Sequence, residues 1–304
     1  FGEEITLAAR LWTKGYEIYH PNGIVVYHDW DRSKRPTHFT DHKASWGALN
    51  DRSLARVRHI MGTEETRDPQ LLVDLDKYGL GNVRTLADYE RYSGVDFKTC
   101  TFTKNAENGV FGVYQQQPSG DKPRIFVRIA SYRDPECQWT VKDLFEKAAH
   151  PDRIFVGICW QFDEQEDAHC FEVTTRPEQV RVYPVDWRET EGVCWARAQT
   201  ELLWEGEEYT LQIDSHMRFE PNWDETLIDM LAECDSEKPI LTTYPSGYTP
   251  PDKIEKGFIF SLCAGQFNES IFTLSSVAHP ESAAPKKPIL GAFLSGCFYF
   301  GSSK

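Results

Sequence analysis

A chain of 304 residues and 35.0 kDa is long enough for one large domain or two ordinary ones, and its apolar fraction of 40% with nine tryptophans supplies a sizeable core. A net charge of −14 and a pI near 5.1 argue against a nucleic-acid backbone or an anionic membrane as the main partner, and no run approaches the roughly 18 apolar residues of a membrane-spanning helix. Eight cysteines without a C-x-x-C pair indicate reduced thiols in a cytoplasmic protein rather than a disulfide framework.

The first predicted element is an amphipathic helix at the start of the chain. Ile5, Ala8, Ala9 and Trp12 fall at positions i, i+3, i+4 and i+7, which places them on one face of a helix. Two glutamates stand at the entrance of this helix, so its first turn looks like part of a site.

The rest of the first third is less regular. It contains a predicted short strand over 23–27, a loop rich in His, Arg and Lys, and a basic amphipathic helix over 48–62. Between 98 and 121 the periodicity fades while Gln, Asn, Gly and Pro accumulate, which predicts a linker or a covering arm.

From residue 122 onward, strands and helices alternate. Apolar and amphipathic runs predict strands over 124–132, 154–160, 180–185 and 209–219, and helices over 138–150, 192–204 and 223–233. This alternation predicts an α/β fold with a mostly parallel sheet covered by helices. Ligands bind at the carboxyl ends of such strands. The candidate binding residues are therefore those at strand ends: Ser131, Tyr132, Arg133, Trp160, Gln161, Asp214, Ser215 and His216.

A metal site is one interpretation of the D-x-H sequence at 214–216. In an extended segment residues i and i+2 point to the same side, so Asp214 and His216 can share one ion. A carboxylate with an imidazole suits a borderline metal such as Mn²⁺. The other interpretation is a strand-end turn with a hydrogen-bonded histidine. His28, at the end of an apolar strand, is the leading third ligand, and the competing histidines are His20, His38 and His42.

Five segments together resemble the polypeptide α-N-acetylglucosaminyltransferases of glycosyltransferase family 60, cytoplasmic enzymes that modify hydroxyproline on the Skp adaptor of SCF ubiquitin ligases. The segments are RIFVRIASYRDPE, IFVGICWQ, GVCWARAQ, QIDSHMRF and GEEITLAARLWTKGYEIYHP. The resemblance covers roughly residues 1–95 and 122–304. It implies a GT-A fold, which is Rossmann-like with a mostly parallel sheet flanked by helices.

A more distant likeness links the chain to the mucin-type polypeptide GalNAc-transferases. Their D-S-H is matched at 214–216, their A-G-G-L-F is similar to 295–299, and their V-G-H is matched at 26–28. The resemblance implies that Asp214, His216 and His28 hold a divalent metal, Mn²⁺ above all, against the diphosphate of UDP-GlcNAc.

The same likeness implies roles for further residues. Glu3 matches a glutamate that reaches the hydroxyls of the donor sugar, and Glu4 stands where those relatives have Asn. Arg197 is the candidate contact to donor sugar or phosphate. Asp31 and Arg32 lie where the relatives carry a mobile loop over the donor. Other candidates for binding UDP-GlcNAc are Ser131, Tyr132, Arg133, Gln161, Asp214 and Ser215, with Arg133 on phosphate or supporting the uracil pocket. For each, an ordinary structural role is the alternative.

The order of the motifs differs from that family, in which the D-S-H strand precedes the G-E-E helix. The chain therefore looks circularly permuted. Three explanations are open: an engineered or natural permutation, a cleaved protein, or residue numbers that do not follow the order of the gene. In family order, 1–97 is the C-terminal part of the GT-A domain, 98–121 a linker or arm, and 122–304 the nucleotide-binding part. We then expect Phe1 and Lys304 to lie near each other and near Asp214.

The implied activity is metal-dependent transfer of GlcNAc, with retention of configuration, to a hydroxyproline hydroxyl of a polypeptide. Transfer of GlcNAc or GalNAc to Ser or Thr is the alternative. Two rivals of other classes are a non-catalytic binding module and a non-haem Fe(II) oxygenase, whose facial triad also contains two His and one carboxylate. The expected location is the cytoplasm, no membrane or nucleic acid is expected as a partner, and a homodimer is left open.

Overall fold

The computed structural model of the protein describes residues 2–111, 123–268 and 270–303. Its α-helices are α1 (Glu3–Thr13), α2 (His38–Asp41), α3 (Lys43–Ile60), α4 (Leu75–Tyr78), α5 (Leu86–Ser93), α6 (Lys104–Glu107), α7 (Cys137–Glu146), α8 (Val193–Glu201) and α9 (Trp223–Ala232). Its strands are β1 (Glu17–His20), β2 (Val26–His28), β3 (Val95–Asp96), β4 (Thr101–Phe102), β5 (Ile125–Tyr132), β6 (Ile154–Phe162), β7 (Val180–Asp186), β8 (Tyr209–Asp214), β9 (Met217–Phe219), β10 (Pro239–Thr242), β11 (Ser246–Thr249), β12 (Lys253–Ile254), β13 (Phe258–Asn268), β14 (Ile271–Pro280), β15 (Ile289–Gly291) and β16 (Phe298–Ser302).

An eight-stranded sheet lies at the centre of the fold, in the order β15-β1-β10-β16-β8-β5-β6-β7. The neighbours β8, β5, β6 and β7 are all parallel, whereas β16 runs antiparallel to both of its neighbours. Helix α7 connects β5 to β6, and α8 connects β7 to β8. The predicted α/β class with a large, mostly parallel sheet and helices is confirmed.

The register of this sheet brings two strand ends together. Ala130 of β5 pairs with Asp214 of β8, and Tyr132 pairs with Gln161 of β6. Ile125 and Ile129 of β5 have no exposed surface, as expected for a strand covered on both faces. The apolar runs therefore fix which polar residues lie at the carboxyl edge.

Helix α1 has the predicted buried face. Ile5, Ala8, Ala9 and Trp12 are all buried against a second apolar cluster that also includes α5 and the β13–β14 hairpin. Gly2 precedes the helix with a φ of +81°, and a Cβ there would lie 2.8 Å from a methyl of Val57. Glycine is therefore required where the chain enters this helix.

The predicted single strand over 209–219 was wrong, because the chain breaks it in two. Strand β8 ends at Asp214 in the large sheet, while β9 begins at Met217 in a four-stranded sheet ordered β12-β11-β2-β9. Thr140 of α7 holds the break: its hydroxyl donates to the Ser215 carbonyl and accepts from the Met217 amide, both at 2.8 Å. Asp214 and His216 thus approach each other across a turn.

The first part of the predicted linker is folded. Residues 98–111 contain β4 and α6, and Ala106 of α6 is buried in the second apolar cluster. The remainder of that stretch, 112–121, lies outside the described residues. The basic helix predicted over 48–62 begins earlier than predicted, as α3.

Both chain ends named in the permutation hypothesis, Phe1 and Lys304, lie outside the described residues. Ser303 donates through its amide to the carbonyl of Glu208, just before β8 begins, whereas Asp214 ends that strand. Within the described ranges, no helix combines the length and apolar character needed to cross a bilayer.

Candidate active site

His28, Asp214 and His216 converge at the carboxyl edge of the large sheet. One ligand atom from each lies within 4.8 Å of the others. His28 is the last residue of β2, Asp214 the last of β8, and His216 belongs to the turn that follows. The structure therefore brings together the three residues that the sequence predicts as metal ligands.

The orientation of His216 is fixed by Asp134, which the sequence argument missed. Nδ1 of His216 lies 2.6 Å from Asp134 Oδ2, and the Ser215 hydroxyl donates to the same oxygen at 2.7 Å. Burial raises the pKa of Asp134, but the hydrogen bonds from His216 and Ser215 outweigh burial, and the pKa falls below its ordinary value. An ionised Asp134 keeps the proton on Nδ1, which leaves the Nε2 lone pair of His216 directed outward.

His28 and Asp214 form the second half of the cluster. His28 Nε2 lies 3.2 Å from Asp214 Oδ2. Burial lowers the pKa of His28, so its imidazole is neutral near pH 7. Burial raises the pKa of Asp214, but the hydrogen bond with His28 and the nearby charge of Arg197 bring it below its ordinary value. This combination supplies a carboxylate from Asp214 and a neutral imidazole from His28.

These donors fit a divalent metal ion. A carboxylate oxygen with two imidazole nitrogens is a mixed set that suits Mn²⁺ or another borderline metal better than an all-oxygen cage does. Nδ1 of His28 is buried and, among the described residues, has no hydrogen-bond partner. A metal ion bound by His28 Nε2 and Asp214 Oδ2 would replace the direct contact between these two atoms.

Arg197 of α8 connects Asp214 to helix α1. Its Nη1 donates to Glu3 Oε1 at 2.6 Å, and its Nη2 lies 3.4 Å from Asp214 Oδ1 and 2.7 Å from the carbonyl of Gly296. The thiol of Cys194 donates to the other oxygen of Glu3 at 3.3 Å. Glu3 and Arg197 thus lie together beside the cluster of His28, Asp214 and His216.

Glu4, like Glu3, is held through both carboxylate oxygens. Its two oxygens accept from the amide of Gly296 at 2.7 Å and from the hydroxyl of Tyr244 at 2.9 Å. Burial raises the pKa of Glu4. Glu4 therefore anchors the first turn of α1 to the 295–297 turn.

A cleft of about 950 Å³ opens onto this cluster through Asp214 and His216, while His28 is fully buried behind them. Of the residues predicted for the site, it is lined by Glu3, Glu4, Arg32, Tyr132, Arg197, Asp214, Ser215 and His216. The hairpin β13–β14 forms an apolar part of its wall with Phe260, Phe272 and Leu274. Charged residues and apolar residues therefore line different parts of the same cleft.

Three of the predicted donor contacts lie behind the cleft wall. Arg133 is paired with Asp41, Glu166 and Asp167. Ser131 and Gln161 are buried, and the Gln161 amide donates to the Ser131 carbonyl at 3.2 Å. Their contacts stabilise the carboxyl ends of β5 and β6 on the side away from the cleft.

The remaining predicted residues have local roles in the structure. Asp31 is exposed and accepts from the amide and hydroxyl of Ser33, and Arg32 is exposed on the same loop. Among the alternative histidines, His20 is buried against the Thr242 carbonyl, while His38 and His42 stack on each other with centroids 4.2 Å apart.

Two further residues of the site were missed by the sequence argument. Arg35 Nη2 lies 2.8 Å from the outward Nε2 of His216, and the indole of Trp30 lies against His28 with ring centroids 4.0 Å apart. Asp134 was detectable from its position two residues after β5. Arg35 carries no such signal, because it is 181 positions away from His216.

Comparison with protein families gives a match that extends over most of the chain. The family model described as "Glycosyltransferase (GlcNAc)" matches residues 1–99, 124–176 and 168–304. No curated protein matches the chain. The matched ranges include all three residues of the metal cluster, as well as Glu3 and Arg197.

Proposed function

Because the chain belongs to the glycosyltransferase (GlcNAc) family, we propose that it transfers GlcNAc from UDP-GlcNAc to a hydroxyl of a polypeptide. The observation that carries the proposal is the cleft where Asp214 and His216, grouped with the buried His28, adjoin the Arg197–Glu3 pair. A nucleotide-sugar transferase needs cationic groups on the leaving diphosphate and polar groups on the sugar, and this cleft offers both.

The cluster provides the first requirement. A divalent ion bound by His28, Asp214 and His216 would stabilise the negative charge that develops on the leaving diphosphate. Arg197 presents a guanidinium beside the same cluster, held in place by the Gly296 carbonyl and by Glu3. Preorganised charge of this kind stabilises a transition state because it needs no reorganisation during the reaction.

The proposed stereochemical outcome is retention, by a front-face route. Glu4 has both carboxylate oxygens hydrogen bonded, and Glu3 is paired with Arg197 and Cys194. Neither is arranged as the free nucleophile of a retaining glycosidase. The leaving phosphate would then help to deprotonate the acceptor hydroxyl. Mass-spectrometric trapping of a glycosyl adduct on Glu3 or Glu4 would overturn this route.

The proposed acceptor is a hydroxyproline hydroxyl on the Skp adaptor of an SCF ubiquitin ligase, in the cytoplasm. The sequence resemblance supports this choice. The cleft leaves room for a peptide on its apolar side, which is lined by Trp30, Tyr244 and the hairpin residue Phe260. Ser or Thr of other polypeptides is the alternative acceptor.

The decisive experiment offers two donors and three acceptors to the protein in the presence of Mn²⁺. UDP-GlcNAc and UDP-GalNAc are each incubated with prolyl-hydroxylated adaptor, unmodified adaptor and a Ser/Thr-rich peptide, and intact masses are measured. We expect one N-acetylhexosamine on the hydroxylated adaptor with UDP-GlcNAc only. Modification of the Ser/Thr peptide alone would replace the hydroxyproline assignment, and no modification of any acceptor would overturn the transferase proposal.

A further inference from the structure

Arg35 occupies an unusual position for a cationic side chain. It lies on the loop between β2 and α2, and its side chain is only 8% exposed. Its Nη2 lies 2.8 Å from His216 Nε2, the nitrogen that Asp134 leaves free. The positively charged guanidinium of Arg35 therefore already contacts His216 Nε2, the atom with which this histidine would bind a metal ion.

The other contacts of Arg35 hold it there. Its Nη1 donates to Asp29 Oδ2 at 3.3 Å and to the Asp31 carbonyl at 3.2 Å, and its Nη2 donates to the Asp29 carbonyl at 3.2 Å. Its Nε lies 3.8 Å from Asp134 Oδ2. The guanidinium therefore compensates two buried carboxylates as well as capping His216.

From this geometry we infer that Arg35 and a divalent metal ion compete for Nε2 of His216, so that the metal binds only when Arg35 withdraws from the cluster. The inference rests on the metal site of the proposed function. A nitrogen lone pair can accept a hydrogen bond from Arg35 or coordinate a metal ion, but cannot do both. Two cations at this spacing would also repel each other strongly in a buried site.

The location of Arg35 determines what its withdrawal would move. Asp29 and Asp31 lie on the same loop, which begins directly after the ligand His28 and also carries Trp30. Asp29 is tied to the other side of the cluster, because its amide donates to the His216 carbonyl at 3.0 Å. Arg35 can therefore leave while the Asp29 end of the loop remains attached. Arg35 thus acts as a positioning residue that sets the affinity of the site for metal.

The test is direct binding of Mn²⁺, added as manganese chloride alone and followed by the electron paramagnetic resonance signal of the free ion. Arg35→Ala is compared with wild type, with Asp214→Asn, and with Arg124→Gln. Arg124 pairs with Glu208 at the opposite end of β5, so this control removes one positive charge away from the cleft. Thermal unfolding of each variant confirms that it is folded.

We expect Arg35→Ala to bind Mn²⁺ about tenfold more tightly than wild type, since a charge-assisted hydrogen bond no longer has to be broken. We expect Arg124→Gln to match wild type, and Asp214→Asn to lose binding. Methylguanidinium, which can refill the space, should weaken Mn²⁺ binding to Arg35→Ala and leave the control unchanged. Competition by methylguanidinium distinguishes direct blocking of His216 Nε2 by a guanidinium from a general effect of removing one positive charge.

Two results would count against competition at His216. Equal affinities in Arg35→Ala and Arg124→Gln would overturn the inference and leave the metal site intact, provided that Asp214→Asn fails to bind. Weaker binding by Arg35→Ala would also overturn it, because Arg35 would then support the metal. If wild type and Asp214→Asn bind equally, the metal assignment of the proposed function itself fails.

Discussion

Arg197 and Glu3, which are 194 positions apart in the chain, form an ion pair with 2.6 Å between Nη1 and Oε1. This pair places the first turn of α1 beside Asp214, the residue that ends β8. Several expectations for variants follow from this arrangement.

Replacing Arg197 with Gln should reduce turnover far more than it reduces stability. The change removes the guanidinium beside Asp214 and leaves Glu3 without its cationic partner. We expect kcat for hydrolysis of UDP-GlcNAc to fall about a hundredfold or more, the usual loss when one preorganised charge-stabilising donor is removed. Arg124→Gln, on the exposed Glu208 pair, should retain full turnover; equal losses in both variants would contradict a role for Arg197 in the site.

Gly296 has no room for a side chain. A Cβ there would lie 2.5 Å from Glu3 Oε1 and 3.2 Å from Arg197 Nη1, so in Gly296→Ala the Glu3 carboxylate must shift from its position against Arg197. We expect a large loss of UDP-GlcNAc turnover. Gly47→Ala is the matched control, because nothing lies within 4 Å of its added methyl and Ala favours the α3 helix by up to roughly 1 kcal/mol. Wild-type turnover in Gly296→Ala would show that the spacing of the pair does not matter.

Asp134→Asn should weaken metal binding without removing a ligand. The amide can no longer act as an ionised acceptor for His216 Nδ1, so the tautomer of His216 is less well fixed. Changes of this kind typically cost about 10- to 100-fold in metal affinity. Titration calorimetry with Mn²⁺ measures the effect against Asp152→Asn, a surface control. A Kd unchanged from that control would remove Asp134 from the site.

His20 should make stability depend on pH. It is buried, its Nε2 has no hydrogen-bond partner among the described residues, and burial lowers its pKa to about 4. In the unfolded chain the pKa is about 6.5, so the unfolded state binds a proton first as the pH falls. The contribution is present above about pH 6.5 and is lost progressively down to about pH 4.

The size of this effect can be measured by urea unfolding at pH 7 and pH 5. His20 alone should lower the free energy of unfolding by about 2 kcal/mol between these values. His20→Gln should reduce the pH dependence by that amount. An identical pH dependence in wild type and His20→Gln would contradict the assignment.

The sequence predicted those parts of the site that follow from strand ends. Asp214 ends β8, which lies among the parallel strands of the large sheet, so its place at the carboxyl edge follows from the strand pattern. His28 ends β2 of the four-stranded sheet and reaches the cluster because it pairs with Met217 of β9, directly after His216. The place of Asp214 could therefore be anticipated even though the break between β8 and β9 was not.

The parts that were missed depend on contacts between distant segments. Arg133 looks available at the end of β5, but it is paired with Asp41, Glu166 and Asp167, and its guanidinium lies over the ring of Trp187. These partners come from three other segments that no local pattern links to Arg133. The contact between Arg35 and His216 escaped for the same reason.

The most direct test of the proposed transferase site is release of UDP from UDP-GlcNAc by wild type and Asp214→Asn, with Mn²⁺ and with EDTA. Asp152→Asn serves as the control for loss of a surface carboxylate. We expect release that requires Mn²⁺ in wild type and in the control, and release at least about a hundredfold slower in Asp214→Asn at unchanged thermal stability. Release by Asp214→Asn at the wild-type rate, or release by wild type that persists in EDTA, would contradict a metal-dependent glycosyltransferase built on His28, Asp214 and His216.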